Sequence, residues 1–389
     1  MTSLTRSVYL DHAATTPMLP AAIEAMTAQL STTGNPSSLH ASGRHARRVV
    51  EESRERIAQA LGCRPGEVVF TSGGTEADNL ALKGLWWSRG RRRILASAVE
   101  HHAVLDPLQW LADHEGAEVE LLPVDSRGRL VVEALRESVE RDPDSVALVS
   151  VMWANNEVGT LQPVDEVVAI AEPHDIPVHT DAVQAIGCVP VDFAASGVDA
   201  LTLTGHKVGG PFGVGALLVR RELELTPLVH GGGQERDVRS GTIDTPAIAG
   251  FAAAVEASVK EQAVTHDRLA SLRNELVRRV LEVVPDAIAH GDVEHRLPGH
   301  AHLAFPGCEG DSLLMLLDAR DIECSTGSAC NAGVPQASHV LLAMGANDDE
   351  ARGSLRFTLG HTSTQADVDA LVEAIGPVVE RARAAGVRW

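Results

Sequence analysis

Residues 199–219, DALTLTGHKVGGPFGVGALLV, read as two short apolar strands joined by a glycine-rich turn that carries Lys207. Continuous apolar runs rich in β-branched residues are the mark of strands buried on both faces, as in a mostly parallel sheet. The same pattern recurs in EVVFTS (67–72), RILASAV (93–99), VALVSVMW (146–153), IPVHTDA (176–182) and VGALLVR (214–220). Between these runs lie helical stretches such as TEADNLALKGLWW (75–87) and VDEVVAIAEPH (164–174), the latter ending near Pro173. Strands alternating with helices predict an α/β layered core. From about Ala247 the pattern changes: a helical run over 247–283 leads to HLAFPG (302–307), DSLLMLLDAR (311–320), SLRFTLG (354–360) and a last helix over 365–386. This predicts a large α/β domain over 16–255 and a smaller α+β domain formed by 1–15 with 256–389.

Lysine is rare in this chain. Only Lys83, Lys207 and Lys260 occur, so the setting of each is informative. Lys83 and Lys260 fall in helical stretches where an amine is simply solvated. Lys207 stands between two apolar strands, where an amine loses hydration, its pKa falls, and the neutral form becomes a nucleophile for carbonyls. A lysine at a sheet end can also snorkel to solvent, and its neighbours have to decide between the two.

The formal charge of −20 leaves no basic stripe for phosphate backbones, which argues against direct nucleic-acid binding. The one dense basic cluster, Arg91–Arg92–Arg93, reads as a solvated turn before a strand. No apolar run has the length of a membrane span, and the start of the chain lacks a secretory pattern, so the expectation is a cytoplasmic protein. The five cysteines (63, 188, 308, 324 and 330) have no CxxC spacing, which favours reduced thiols over a disulfide framework or a metal site.

Several motifs sit at predicted strand ends. FTSGGTEADN runs from a strand through Gly73 and Gly74 into a helix opened by Thr75, and a glycine turn at a helix N-terminus suits a phosphate. Thr75 with Asp78 also fits a simple capping box. Asp181 ends the strand in IPVHTDAVQ, where ligands of open α/β sheets collect, with Gln184 close by. A carboxylate there can keep a ring nitrogen protonated or merely cap a helix. Asn155, Asn156 and Glu157 follow another strand, and His101 and His102 a third, where an imidazole can stack on a flat ring and carry protons. A phosphate turn, a histidine, an acid and a lysine at the ends of one sheet are together the demands of pyridoxal phosphate.

The ordered series YLDHAATTP, GNPSSLH, FTSGGTEADNLA, EHHAV, NNEVGT, HTDAVQAIG, GHKVGGPFGVGAL, HGGGQERDVRSGT and STGSACNAG resembles the cysteine desulfurases of the class V aminotransferase group. The resemblance extends from about residue 8 to Leu359. It implies a fold-type-I pyridoxal-phosphate transferase with a mostly parallel seven-stranded sheet. It implies that Lys207 forms the Schiff base with pyridoxal 5'-phosphate and acts as acid and base, that Asp181 pairs with the ring nitrogen, that Gln184 bonds the ring oxygen and that His101 stacks on the ring. Gly74, Thr75, Thr204 and His206 would hold the phosphate. Thr242 would reach the phosphate of a neighbouring subunit, implying a homodimer. Asn35, Asn156 and Arg356 would fix the substrate carboxylate. Thr204 stands where serine is frequent in the family, which preserves a hydroxyl.

Folds of this kind run many reactions, so the cofactor site alone does not name the chemistry. STGSACNAG discriminates. Cys330 lies among small residues, between Gly327 and Gly333, where a thiol is free to travel between a buried substrate and an external acceptor. The resemblance then implies conversion of L-cysteine to L-alanine, with the sulfur left on Cys330 as a persulfide. The acceptor would be another protein, serving iron–sulfur assembly, tRNA thiolation or DNA sulfur modification. Cys324 reads as a strand-end residue, and Cys63, Cys188 and Cys308 as packing or surface thiols. Two alternatives use the same scaffold: another class V reaction, such as an aminotransferase or a cysteine or selenocysteine lyase that does not need Cys330, and a non-enzymatic redox scaffold. The second would be expected to have lost Lys207 or Asp181, and both are present.

Overall fold

The strands follow the buried apolar runs. A computed structural model describes residues 7–327 and 337–386. In chain order the strands are β1 (Val8–Tyr9), β2 (Val68–Thr71), β3 (Arg93–Ser97), β4 (Glu118–Leu122), β5 (Val146–Ser150), β6 (Val178–Asp181), β7 (Ala200–Thr204), β8 (Gly215–Val219), β9 (Ile288–His290), β10 (His300–Ala304), β11 (Ile322–Glu323) and β12 (Ser354–Thr358). Seven of them form one sheet in the order β2-β8-β7-β6-β5-β3-β4. β8 runs antiparallel to both of its neighbours and the other pairings are parallel. Every residue of β2, β3, β5, β6, β7 and β8 is buried, because helices cover both faces.

Two features of this sheet differ from the sequence reading. β4 has no continuous apolar run. It is an edge strand that carries Glu118 and Glu120 and leaves Glu118 and Leu121 exposed, so the pattern of a buried strand is absent. Arg93 is not part of a solvated turn. It opens β3, is buried, and its guanidinium donates to Ser138 Oγ at 2.6 Å and to Glu120 at 2.8 Å. The aliphatic stem lies inside while the head finds the acid on the edge strand.

The 39-residue helix Thr245–Val283 links two cores. Its first three turns (Ala247, Ile248, Phe251, Ala252, Val255) pack on the cluster beneath the large sheet, and Leu269, Leu276 and Val280 belong to a second cluster. That second cluster lies around the antiparallel sheet β12-β10-β9, where Leu303, Phe305, Leu355 and Phe357 join Val368, Leu371 and Ile375 of the helix Gln365–Gly386. The start of the chain joins this part: β1 pairs in parallel with β11, and Asp11 bridges to Thr358.

The loop that carries Thr242 is fastened by a buried ion pair. Arg54 donates to both oxygens of Glu235 at 2.8 and 2.7 Å, and the Phe70 N–H donates to the same carboxylate. Glu235, Arg236 and Asp237 all have positive φ, a left-handed run that costs energy in residues with side chains and persists here because the pair holds it. Glu235→Ala leaves Arg54 buried and unpaired. It is expected to lower unfolding stability by about 3–5 kcal/mol, read as a shifted urea midpoint.

Candidate active site

The C-terminal ends of β2, β5, β6 and β7, with the segment after β3, open onto a cavity of about 380 Å³. Gly74, Thr75, His101, Asn156, Asp181, Gln184, Thr204, His206, Lys207 and Arg356 all line it. Lys207 closes a short 3-10 turn after β7. The turn needs glycine at 205, where a Cβ would lie 2.5 Å from the Pro211 carbonyl oxygen, and at 209, where φ is +77°. The Lys207 ammonium donates to the Ala13 carbonyl, which also accepts from Gln184 Nε2 at 3.0 Å. Burial, and then the positive charge of Arg356, lower the Lys207 pKa to about 8, while Asp11 and Asp181 oppose the shift. The setting is therefore that of a nucleophilic amine rather than a snorkelling one.

Asp181 sits at the last position of β6. Its carboxylate accepts from the Val183 N–H at 2.9 Å, and burial pushes its pKa up to about 7, with Asp78 adding to the rise and Lys207 opposing it. His101 caps the helix His102–Glu115: its Nδ1 accepts from the Ala103 N–H at 3.0 Å, which leaves the proton on Nε2. The ring's open side faces the cavity. Burial by the walls, followed by the charge of Lys207, lowers its pKa to about 4, so it is a neutral imidazole near pH 7.

The helix Gly74–Arg89 begins at this cavity with no side chain bonded at its N-cap, so its first N–H groups have no cap of their own. A Cβ on Gly74 would lie 3.1 Å from Val183, so a side chain there would crowd the approach. His206 Nδ1 is buried without a partner among the described residues, and Thr204 is buried as well. Uncapped helix N–H groups next to an orphaned imidazole nitrogen fit a phosphate group. Together with Asp181, Lys207 and the open face of His101, the residues present fit pyridoxal phosphate.

Arg356 on β12 donates to the Asn156 carbonyl at 2.9 Å and pairs with Asp11 at 2.8 Å, which aims the guanidinium at the cavity wall. Its Nε is buried and has no partner among the described residues. Asn155 points away from this work: its side chain ties Val99, Glu157 and Val158 into a turn.

Two expected residues lie elsewhere. Asn35 and Thr242 are exposed and line a separate concavity with Arg47, Glu235 and Arg236. Cys330 lies outside the described residues. Cys324 follows β11 and is buried, and burial together with Asp11 pushes its thiol up to about 12. Lys83 Nζ rests 4.4 Å over the Trp110 ring, and Lys260 is exposed.

Residues that the sequence reading left without a role are Asp11, Ala13, Glu157 and His339, all at or beside this cavity, and Asp78, read as a capping acid, lines it too. Asp11 and Ala13 belong to YLDHAATTP, quoted for its resemblance alone. Its placement beside Lys207 depends on pairings hundreds of residues apart.

Known proteins resemble this chain in sequence and in fold. The sequence profile described as aminotransferase class-V matches residues 8–371. The chain is 57% identical over 385 residues to an IscS-like cysteine desulfurase of Mycobacterium tuberculosis strain H37Rv, covering 97% of this chain and 98% of that one. Among solved structures, a NifS-like protein superposes with a TM-score of 0.90 at 36% identity, covering 96% of this chain and 100% of the other. A structure described as SspA in complex with cysteine gives a TM-score of 0.78 at 34% identity, covering 90% and 98%.

Proposed function

Because the chain belongs to the aminotransferase class-V family, we propose that it is a pyridoxal-phosphate-dependent cysteine desulfurase, converting L-cysteine to L-alanine and passing the sulfur to Cys330. The observation that carries the reading is one cavity in which a lysine amine with a pKa lowered to about 8 meets a buried acid, a neutral histidine and a clamped arginine. The relative solved with cysteine supports the choice of substrate.

When bound, the cofactor supplies a protonated ring that draws electrons from the substrate Cα. The chain supplies the rest. Lys207 Nζ would hold the cofactor and, when free, would take the proton from the substrate Cα. Asp181 keeps the proton on the ring nitrogen. Arg356, with Asn156 beside it, holds the substrate carboxylate, and the uncapped N–H groups of the helix Gly74–Arg89 hold the phosphate with Thr75, Thr204 and His206. His101, with its proton on Nε2, moves protons above the ring. The Cys330 thiolate bonds to the substrate sulfur as the carbon–sulfur bond breaks. The bonding electrons stay with Cβ, which takes up a proton, Lys207 returns a proton to Cα to complete alanine, and the sulfur remains on Cys330 as a persulfide. A sulfur-acceptor protein then takes it up. Since Asn35 and Thr242 line a concavity separate from the chain's own cavity, the reading includes a homodimer in which Thr242 would complete the phosphate site of the second copy and Asn35 would help to fix a substrate carboxylate. It also includes a division into a large domain, 16–255, and a small domain built from 1–15 and 256–389.

The test is purification with cofactor, addition of L-cysteine, and joint measurement of alanine and protein-bound sulfur. One persulfide with one alanine in the first turnover is expected; alanine without bound sulfur, or sulfide released with no persulfide, would refute it. Arg356→Lys removes the fork that meets a carboxylate on two N–H groups. It is expected to raise the KM for cysteine by about tenfold or more while the bound cofactor's spectrum is kept.

A further inference from the structure

The cavity floor holds more acid than its chemistry uses. Asp78, on the second turn of the helix Gly74–Arg89, lines the cavity and is 1% exposed. Its Oδ1 has no hydrogen-bond partner among the described residues. The nearest basic atom is His179 Nε2 at 3.5 Å, and the Thr202 hydroxyl also reaches the carboxyl. His179 is fully buried on β6, on the same face as Asp181 two residues on, and Thr202 on β7 is the register partner of Asp181. His179 is bonded through both nitrogens, Nδ1 to Ser150 Oγ at 2.9 Å and Nε2 to Thr202 Oγ1 at 3.1 Å. One polar chain thus runs Ser150–His179–Thr202–Asp78 across β5, β6 and β7 to the covering helix, directly beneath Asp181.

The two acids differ in what faces them. Asp181 receives a backbone N–H and faces Lys207. Asp78 receives no backbone N–H and no arginine or lysine among the described residues; what faces it is a neutral imidazole, a hydroxyl and the further acids Asp181 and Glu100. Glu100 is buried as well, with one oxygen accepting from the Met152 N–H and the other without a partner among the described residues. A lone charge at Asp78 would cost several kcal/mol in such a place, whereas a neutral acid can donate its proton to the chain.

We propose that Asp78 is a positioning residue that keeps its proton and, through Thr202 and His179, holds the ends of β6 and β7 in place, so that Asp181 alone carries negative charge toward the cofactor's ring nitrogen. The inference rests on the pyridoxal-phosphate reading of the cavity and adds the charge assignment of its floor. Burial raises the pKa of both acids to about 7, and it is the Val183 N–H and Lys207, present at Asp181 and not at Asp78, that favour the charge on Asp181.

The experiment uses the full chain and pyridoxal phosphate, with two readouts other than turnover: the pH titration of the bound cofactor's visible band and the cofactor dissociation constant. Asp78→Asn keeps the shape and a donor without a titrating proton. It is expected to leave the titration midpoint in place and the affinity within about twofold. Asp78→Ala removes the group that ends the chain, and is expected to weaken cofactor affinity by about tenfold and to move the midpoint. Asp181→Asn, measured alongside, removes the charge itself and gives the full displacement of the midpoint. If Asp78→Asn moves the midpoint as far as Asp181→Asn does, Asp78 carries the charge and the assignment is wrong. If Asp78→Ala matches the wild type in both readouts, Asp78 positions nothing. Asp78→Asn keeps the test open should the alanine variant misfold. A wild-type protein that takes up no cofactor would instead overturn the reading of the cavity, and this inference with it.

Discussion

Lys207→Ala is expected to abolish the covalent attachment of pyridoxal phosphate and, with it, alanine formation, while Lys83→Ala and Lys260→Ala keep both. The three lysines of the chain make the comparison complete. Lys83 is committed to the Trp110 ring and Lys260 is exposed on the long helix, whereas Lys207 alone points into the cavity. Loss of a nucleophile that also moves the Cα proton removes two steps at once, so turnover should fall by several orders of magnitude. Phosphate contacts remain, so cofactor should still associate, reversibly and without the band of the attached form. Borohydride reduction of the wild type followed by peptide mapping should place the pyridoxyl group on Lys207. A label on Lys83 or Lys260 would overturn the assignment. The pH dependence has a defined sign. The amine reacts only when unprotonated, so attachment to cofactor-free protein should speed up as pH rises and level off above about 8, where burial and Arg356 have placed its pKa. An ordinary lysine would continue to gain rate up to roughly 10.4.

Much of this site was legible because its parts lie at the ends of buried parallel strands, and such strands announce themselves as apolar runs. Asp181, Asn156 and Lys207 each follow a run read from sequence, and the sheet brings them to one cavity. β4 was hidden because an edge strand carries charge on its open face. Arg93 was misread because a buried arginine is invisible until its acid, Glu120, arrives on that same unrecognised strand. The support of the site was harder still to read. Asp11 clamps Arg356 across 345 positions of sequence, and Ala13 contributes only a carbonyl, which no side-chain pattern can signal. Asp78 looked like the closing acid of a capping box. In the fold that helix has no side-chain cap, and Asp78 turns inward to His179 and Thr202.

The second large effect separates binding from sulfur transfer. Cys330→Ser keeps nearly the same shape and replaces a thiol by a hydroxyl, which is hardly ionised near neutral pH and cannot form a persulfide. Lys207, Asp181, Arg356 and the helix N-terminus are untouched by the change, so the variant should bind cofactor with the wild-type spectrum and shift that spectrum when L-cysteine is added. It should stop there: alanine formation should fall by at least about a thousandfold, as expected when a covalent nucleophile is removed, and no sulfur should remain on the protein. Cys324→Ser provides the control. Cys324 is buried, and with its thiol held at about 12 by burial and by Asp11, almost none is thiolate at neutral pH, so its loss should leave turnover within about twofold. The measurement is mass spectrometry of each protein after one turnover with L-cysteine, seeking one added sulfur and locating it by peptide. Sulfur on Cys324, or full persulfide formation in Cys330→Ser, would refute the sulfur-transfer step and leave Lys207 and Asp181 serving a different reaction of the same family. A spectrum in Cys330→Ser that no longer responds to L-cysteine would show instead that the thiol takes part in binding the substrate, and the separation of the two steps would fail.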